Sequence, residues 1–192
     1  MFSFMKIVTF AALAFGAFAS AMPTVESRAI EERQAATLTS ILSGLPDDVQ
    51  PHVDQLKSLN ADTATPAKVT SIVLDITVVL DAAVASCKGL PVGAIGLGDI
   101  LVLLSVVIQL IIIPCGAVYS LPGIDKGAII GCFAPIGVSL VALITIVLDL
   151  VLGLLGGVLS VVIGLLVGLL GSSCTSIIVE LKLDVLIKLL VL

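Results

Sequence analysis

Three stretches of this sequence carry no charged side chain: residues 100–124, 127–148 and 150–179, which are 25, 22 and 30 residues long. Strands of globular proteins run to four to eight residues, whereas an unbroken apolar run of this length reads as a helix buried on most sides. Such stretches leave few ways to fold, because each must find an apolar neighbour along most of its length. Charge is confined to the rest: residues 22–99 hold fifteen charged side chains and residues 100–192 hold seven. The boundary falls in the Gly/Pro-rich segment 89–99, a loop by its punctuation whose glycines do not follow the dinucleotide-binding order. At 59% hydrophobic and 12% charged, the chain is far too apolar for intrinsic disorder. Nine Lys and Arg against fourteen Asp and Glu offer phosphates no basic face, which excludes nucleic acid as a partner.

The first residues read as an address. Lys6 precedes the apolar run 7–18, and Ala19-Ser20-Ala21 supplies a small-x-small cleavage pattern. Residues 1–21 are therefore expected to be a secretory signal peptide, too short for a stable membrane span. Residues 22–34 are polar and acidic, a flexible leader with a possible processing point at Arg33. Residues 35–98 form a polar, amphipathic half and residues 99–192 a hydrophobic half. Beyond residue 21 there are eight basic and fourteen acidic side chains, a net charge of −6.

The expected class is mostly α: amphipathic N-terminal helices packed on a very hydrophobic C-terminal helical bundle. Leu38, Ile41, Leu42 and Leu45 recur at helical spacing up to Gly44 and Pro46, and Val49, Val53, Leu56 and Leu59 mark a second short helix. Thr65 before Pro66 is an N-cap followed by proline at the first helical position. From there Val69, Ile72, Val73, Ile76, Val79, Leu80, Ala83 and Val84 recur at three and four, and Cys87-Lys88-Gly89 closes the helix. Asp99 caps a helix expected to end at Pro114, and Pro122-Gly123 signals a turn in the loop 115–126. Residues 177–192 fit both a strand and a helix, and helix is favoured by the stripe Glu180, Asp184, Lys188. Gly153, Gly157, Ser160, Gly164, Gly168 and Gly171 are spaced 4, 3, 4, 4 and 3 apart. On one helix they form a continuous strip of small residues that lets a partner backbone approach closely.

Four cysteines, Cys87, Cys115, Cys132 and Cys174, read as two structural disulfides in a secreted chain. If 66–87 and 99–113 are antiparallel, Cys87 and Cys115 lie about 22 Å apart, beyond the roughly 7 Å between Cα atoms that a bridge spans. Cys115 and Cys132 flank one loop. This predicts Cys115–Cys132 and, by elimination, Cys87–Cys174, each contributing about 2–4 kcal/mol.

Groups for catalysis are scarce. The one histidine, His52, sits among Asp47, Asp48 and Asp54 with no G-x-S-x-G elbow in the chain, and reads as a solvated helix-end residue. Asp75 and Asp81 are six apart, so they diverge by about 120° on a helix and serve as its wet face rather than as a catalytic pair. Asp149, the one charge between Lys126 and Glu180, is expected to reach the surface at a bend, since an ionised carboxylate buried there is costly. No CxxC spacing suggests zinc. Neither an enzyme, nor a cofactor, nor a metal is expected.

The Ala19-Ser20-Ala21 cleavage pattern, the charge boundary near residue 99 and the four isolated cysteines together resemble an architecture known in fungi. It is that of the small secreted, non-hydrophobin structural wall proteins of mushroom-forming species. The resemblance spans the whole chain, carries no site residue, and implies a surface-active role in the wall or extracellular matrix, in aerial hyphae and attachment. The partners it implies are hydrophobic surfaces or the air–water interface, wall components and further copies of the chain. Two alternatives stand beside it: a polytopic membrane protein, and an extracellular carrier with residues 100–171 as a sleeve around a lipid or other apolar ligand.

Overall fold

The computed structural model describes residues 26–90, 97–152 and 159–190. The expected signal segment, the first part of the leader, and Gly153 and Gly157 lie outside them. The described elements are α1 (Glu26–Lys57), α2 (Pro66–Lys88), α3 (Leu97–Tyr119), α4 (Lys126–Cys132), α5 (Ala134–Leu152), α6 (Leu159–Glu180) and α7 (Asp184–Leu190), and among the described residues there is no strand. The fold is mostly α, as the apolar periodicity predicts. Packing divides the chain after Ile30 into two units, and the helical core belongs to the second, Glu31–Leu192.

α1 differs from expectation at both of its ends. It begins at Glu26, inside the segment read as a flexible leader, and runs through Pro46 and Pro51 instead of stopping at Gly44. The reason is burial. Leu38, Leu42, Leu45, Val49, Val53 and Leu56 recur at three and four as one stripe, each at most 3% exposed. A proline inside a helix costs about 3 kcal/mol, whereas each buried Leu or Val contributes about 1.5–3 kcal/mol, so six in one stripe outweigh two prolines. Asn60 then turns the chain, its Oδ1 accepting the N–H groups of Asp62 and Thr63 at 3.0 Å each.

α2 starts where the sequence places it: the Thr65 side chain accepts the Lys68 N–H, Pro66 occupies the first turn, and Gly89 caps the end. α3 continues past Pro114 to Tyr119. Ile111, Ile112, Cys115 and Val118, all buried, hold the helix on course across the proline. Gly123, with φ of 79°, supplies the left-handed residue of the Pro122-Gly123 turn. Lys126 lies 5.0 Å from the Tyr119 ring centre, bracing that turn. Asp125 caps α4 by accepting the Ala128 N–H at 3.1 Å. Asp149 is exposed, but within α5 rather than at a bend. In α6 the backbone breaks at Gly171, where φ is 72° and ψ is 166°, a conformation open only to glycine.

The long helices α2, α3, α5 and α6 pack mainly as two pairs. α2 packs on α5 and α3 on α6, while α7 folds back against α5 and α6. The Gln109 amide of α3 donates to the carbonyls of Leu169 (2.8 Å) and Leu170 (3.3 Å), and Gly116 faces Ile177. The partner residue thus stays about 61 positions ahead, so α3 and α6 run in the same direction. In the other pair, Cys132 lies against Pro66 and the Ser139 hydroxyl donates to Asp81 at 2.8 Å, again in one sense. Between Tyr119 and Lys126 the chain reaches at most about 25 Å, less than the roughly 34 Å length of α3. α3 must therefore return toward the Pro66 end of α2.

Candidate interaction surface

The α3/α6 pair presents an outer face with no charge on it. Val102, Val106 and Ile113 of α3 fall within about 40° of one another around the helix at 3.6 residues per turn. On α6, Val161, Leu165 and Leu169 follow at four-residue steps, and together with Val179 these seven side chains are 42–58% exposed. The two rows border one open groove lined by Gly98, Leu101, Val102, Gly164, Leu165, Gly168 and Leu169. No charged residue lies in α3 after Asp99 or in α6 before Glu180. Soluble monomers rarely expose contiguous apolar patches of this kind, and those that do use them for contact.

The wet surface lies elsewhere. α2 exposes Lys68, Asp75, Asp81 and Lys88, with Leu74 and Val78 between them, and α1 exposes Asp47 and Asp54. Asp75 and Asp81 diverge as their spacing requires: Asp75 faces His52 of α1, and Asp81 accepts from Ser139 of α5. Polarity therefore separates by helix pair rather than by chain half. Half of the apolar segment, α4 and α5, covers α2. Burial, with Asp47 beside it as the smaller cause, raises the Asp48 carboxyl above the usual carboxylate range.

His52 is placed in α1 with Nδ1 3.9 Å from Asp75 Oδ2, too long for a hydrogen bond, and buried without a partner. No serine is hydrogen-bonded to it among the described residues. Nor do the described residues bring three His, Cys, Asp or Glu side chains together as a metal set.

The small-residue strip is not continuous. Gly164 and Gly168 lie on the open groove, with nothing within 4 Å of where a Cβ would stand, and Gly171 interrupts the helix instead of extending the strip. Ser160 is helical. The close approach that small residues permit occurs at Gly116 instead, where a Cβ would sit 2.7 Å from Ile177 Cγ2.

All four cysteines are free thiols, and neither expected bridge is formed. Cys87, Cys115 and Cys174 are buried, and burial pushes the Cys87 and Cys174 thiols up to about 11 and Cys115 higher still. Cys132 is half-buried, its thiol donating to the carbonyls of Ala128 (3.3 Å) and Pro66 (3.6 Å). That contact puts it at the opposite end of α2 from Cys87. The expected Cys87–Cys174 pairing needs correction on geometry: Cys174 lies level with the C-terminal end of α3, most of a helix length from Cys87. Elimination misled because it ignored the parallel run of α3 along α6.

Sequence reasoning missed Gln109 and the exposed rows of α3 and α6. Gln109 had a signal, as the only amide side chain after Asn60. It satisfies carbonyls that the break at Gly171 leaves without intrahelical partners. The rows had none, because both faces of α3 are aliphatic and the hydropathy period is flat. No protein-family model, curated protein or solved structure was found to match the chain.

Proposed function

We propose that this chain is a secreted, non-catalytic structural protein that coats hydrophobic interfaces in the cell wall or extracellular matrix, supporting attachment and growth into air. The observation that carries the reading is the charge-free face of α3 and α6, with seven exposed aliphatic side chains, beside a surface of α1 and α2 rich in carboxylates. A molecule built this way lowers its free energy by turning one face to a hydrocarbon-like phase and keeping the other in water. The resemblance to small non-hydrophobin wall proteins of mushroom-forming fungi, the signal-like segment 1–21 and the absence of a catalytic constellation from the sequence all favour it. Wall components and further copies of the chain are the partners it implies.

The membrane alternative rests on four helices among the described residues that are long and apolar enough to cross a bilayer: Pro66–Lys88, Gly98–Tyr119, Lys126–Val151 and Val161–Glu180. Exposed Asp75, near the middle of the first of these, and Asp81, a turn further on, weigh against it. A carboxylate at the centre of a lipid-facing helix costs about 2.5–3.5 kcal/mol on insertion scales. The carrier reading is less favoured, because the groove lies open on the surface rather than enclosing a ligand.

The test compares two doubly substituted proteins. Val106→Glu with Leu165→Glu places charge on the α3/α6 face, and Leu74→Glu with Val78→Glu places the same charge on α2. All four sites are exposed, so each substitution is expected to change stability by about 0.5 kcal/mol or less. The first protein should no longer lower water surface tension or resist rinsing from a hydrophobic solid, while the second should keep both properties. Equal behaviour of the two overturns the assignment of the face. Recovery of the unaltered protein only with detergent favours the membrane reading.

A further inference from the structure

We propose that in water the charge-free α3/α6 face is covered by a second copy of this chain, in a two-fold dimer. The inference rests on the reading of that face as a contact surface, and adds what occupies it before a hydrophobic phase is met. Charge favours a copy as the occupant. Each chain carries a net charge of −5. Two copies meeting through α1 and α2 would set the exposed Asp47, Asp54 and Asp75 against their like, which is unfavourable across an interface. Through α3 and α6 they meet without opposing carboxylates, since α3 after Asp99 and α6 before Glu180 hold none.

Size agrees. α3 is about 34 Å long, and two helices side by side, each about 10 Å across, present a footprint of about 700 Å². The largest apolar patch on a soluble monomer is about 300–600 Å². A specific interface takes about 800 Å² from each partner, with a lower bound near 500 Å². The face is thus large for a monomer to leave wet and of the size a dimer needs. Its relief is self-complementary as well. Gly164 and Gly168, about one turn apart, leave a hollow with nothing within 4 Å of where a Cβ would stand. Val102 of α3 and Leu165 and Leu169 of α6 rise beside it. The leucine ridge of one copy fits the hollow of the other, where glycine lets it approach the α6 backbone, and the two-fold repeats the contact in reverse.

The same side chains cannot face a second copy and a hydrophobic phase at once. The dimer is therefore the dissolved form and the monomer the adsorbing one, and mass action sets their ratio. An interface of this size has a dissociation constant of about 1 μM or tighter, so adsorption from more concentrated solutions waits on dissociation.

The experiment is sedimentation velocity of the full chain from about 0.1 to 100 μM, which brackets that range, with surface tension followed in time on the same samples. Gly164→Leu with Gly168→Leu fills the hollow with side chains that meet nothing in the monomer, suit a helix better than glycine and keep the face aliphatic. The unaltered protein should reach twice the monomer mass within the range. The double-leucine protein should need at least about tenfold more protein to do so, and should lower surface tension sooner at equal concentration. Leu74→Glu with Val78→Glu, on α2, should dimerise as the unaltered protein does. Monomer mass throughout for the unaltered protein, with or without bound lipid, or a dimer that the two leucines leave undiminished, overturns the proposal. Monomeric double-leucine protein that does not lower surface tension refutes the interfacial reading and leaves the dimer assigned.

Discussion

Replacing Gly116 with alanine should destabilise the fold, although alanine is the better helix former. The new Cβ would stand 2.7 Å from Ile177 Cγ2 and 3.0 Å from its Cγ1 and Cδ1. Carbon atoms pack best about 3.5–4.0 Å apart, so something must move by about 0.8 Å or more. Ile177 is β-branched within a helix, where one χ1 rotamer dominates, so Cγ2 does not swing aside. The seam has to open instead, at an overpacking cost of about 1–3 kcal/mol, against a propensity gain of at most about 1 kcal/mol. The net is a loss of about 0–2 kcal/mol. The same change at Gly164 or Gly168 meets open space and should stabilise by about 0.8–1 kcal/mol. A difference of about 2 kcal/mol between sites separates urea midpoints by about 1 M at an m-value of about 2 kcal/mol/M. Adding Ile177→Ala to Gly116→Ala should relieve the clash, with a coupling of about 1 kcal/mol in a double-mutant cycle. If Gly116→Ala stabilises as much as Gly164→Ala, the close approach of α3 and α6 at this point is wrong.

Gln109→Leu removes two hydrogen bonds to the carbonyls at the Gly171 break and should cost about 1–3 kcal/mol, with faster amide exchange in α6; unchanged exchange would refute the capping role. Gly171→Ala forces a side chain onto a backbone at φ 72°, and a loss of about 1–3 kcal/mol in chemical denaturation is expected. Asp48→Asn probes a carboxyl whose folded value is raised above that of the unfolded chain. Such a group favours folding in its protonated form, so its stabilising effect is present below the ordinary carboxylate value and is lost as pH rises through the raised one. The variant should exceed the unaltered protein by no more than about 0.5 kcal/mol at pH 7 after solvent screening, and the advantage should vanish below about pH 3; a constant difference across that range contradicts the burial argument.

What the sequence by itself determined was the helical class, the run of α2 and the turns. Thr65 and Pro66 at its start, Gly89 at its end, and the Val/Ile/Leu spacing between them are local chemistry, and local chemistry is legible. It misjudged α1 and α3 because proline acts locally while burial is collective: stripes that pack along their whole length carried both helices through Pro46, Pro51 and Pro114. Which aliphatic face looks outward was decided by tertiary structure alone. In a segment where Val102 and Leu104 are chemically alike, only the position of α6 makes one exposed and the other buried. The cysteines follow the same logic: sequence distance ranked them by the loops they flank, whereas the parallel packing of α3 on α6 sets Cys174 near the C-terminal end of α3 and leaves Cys87 at the far end of α2, because the register of two helices is fixed by where their surfaces fit closest.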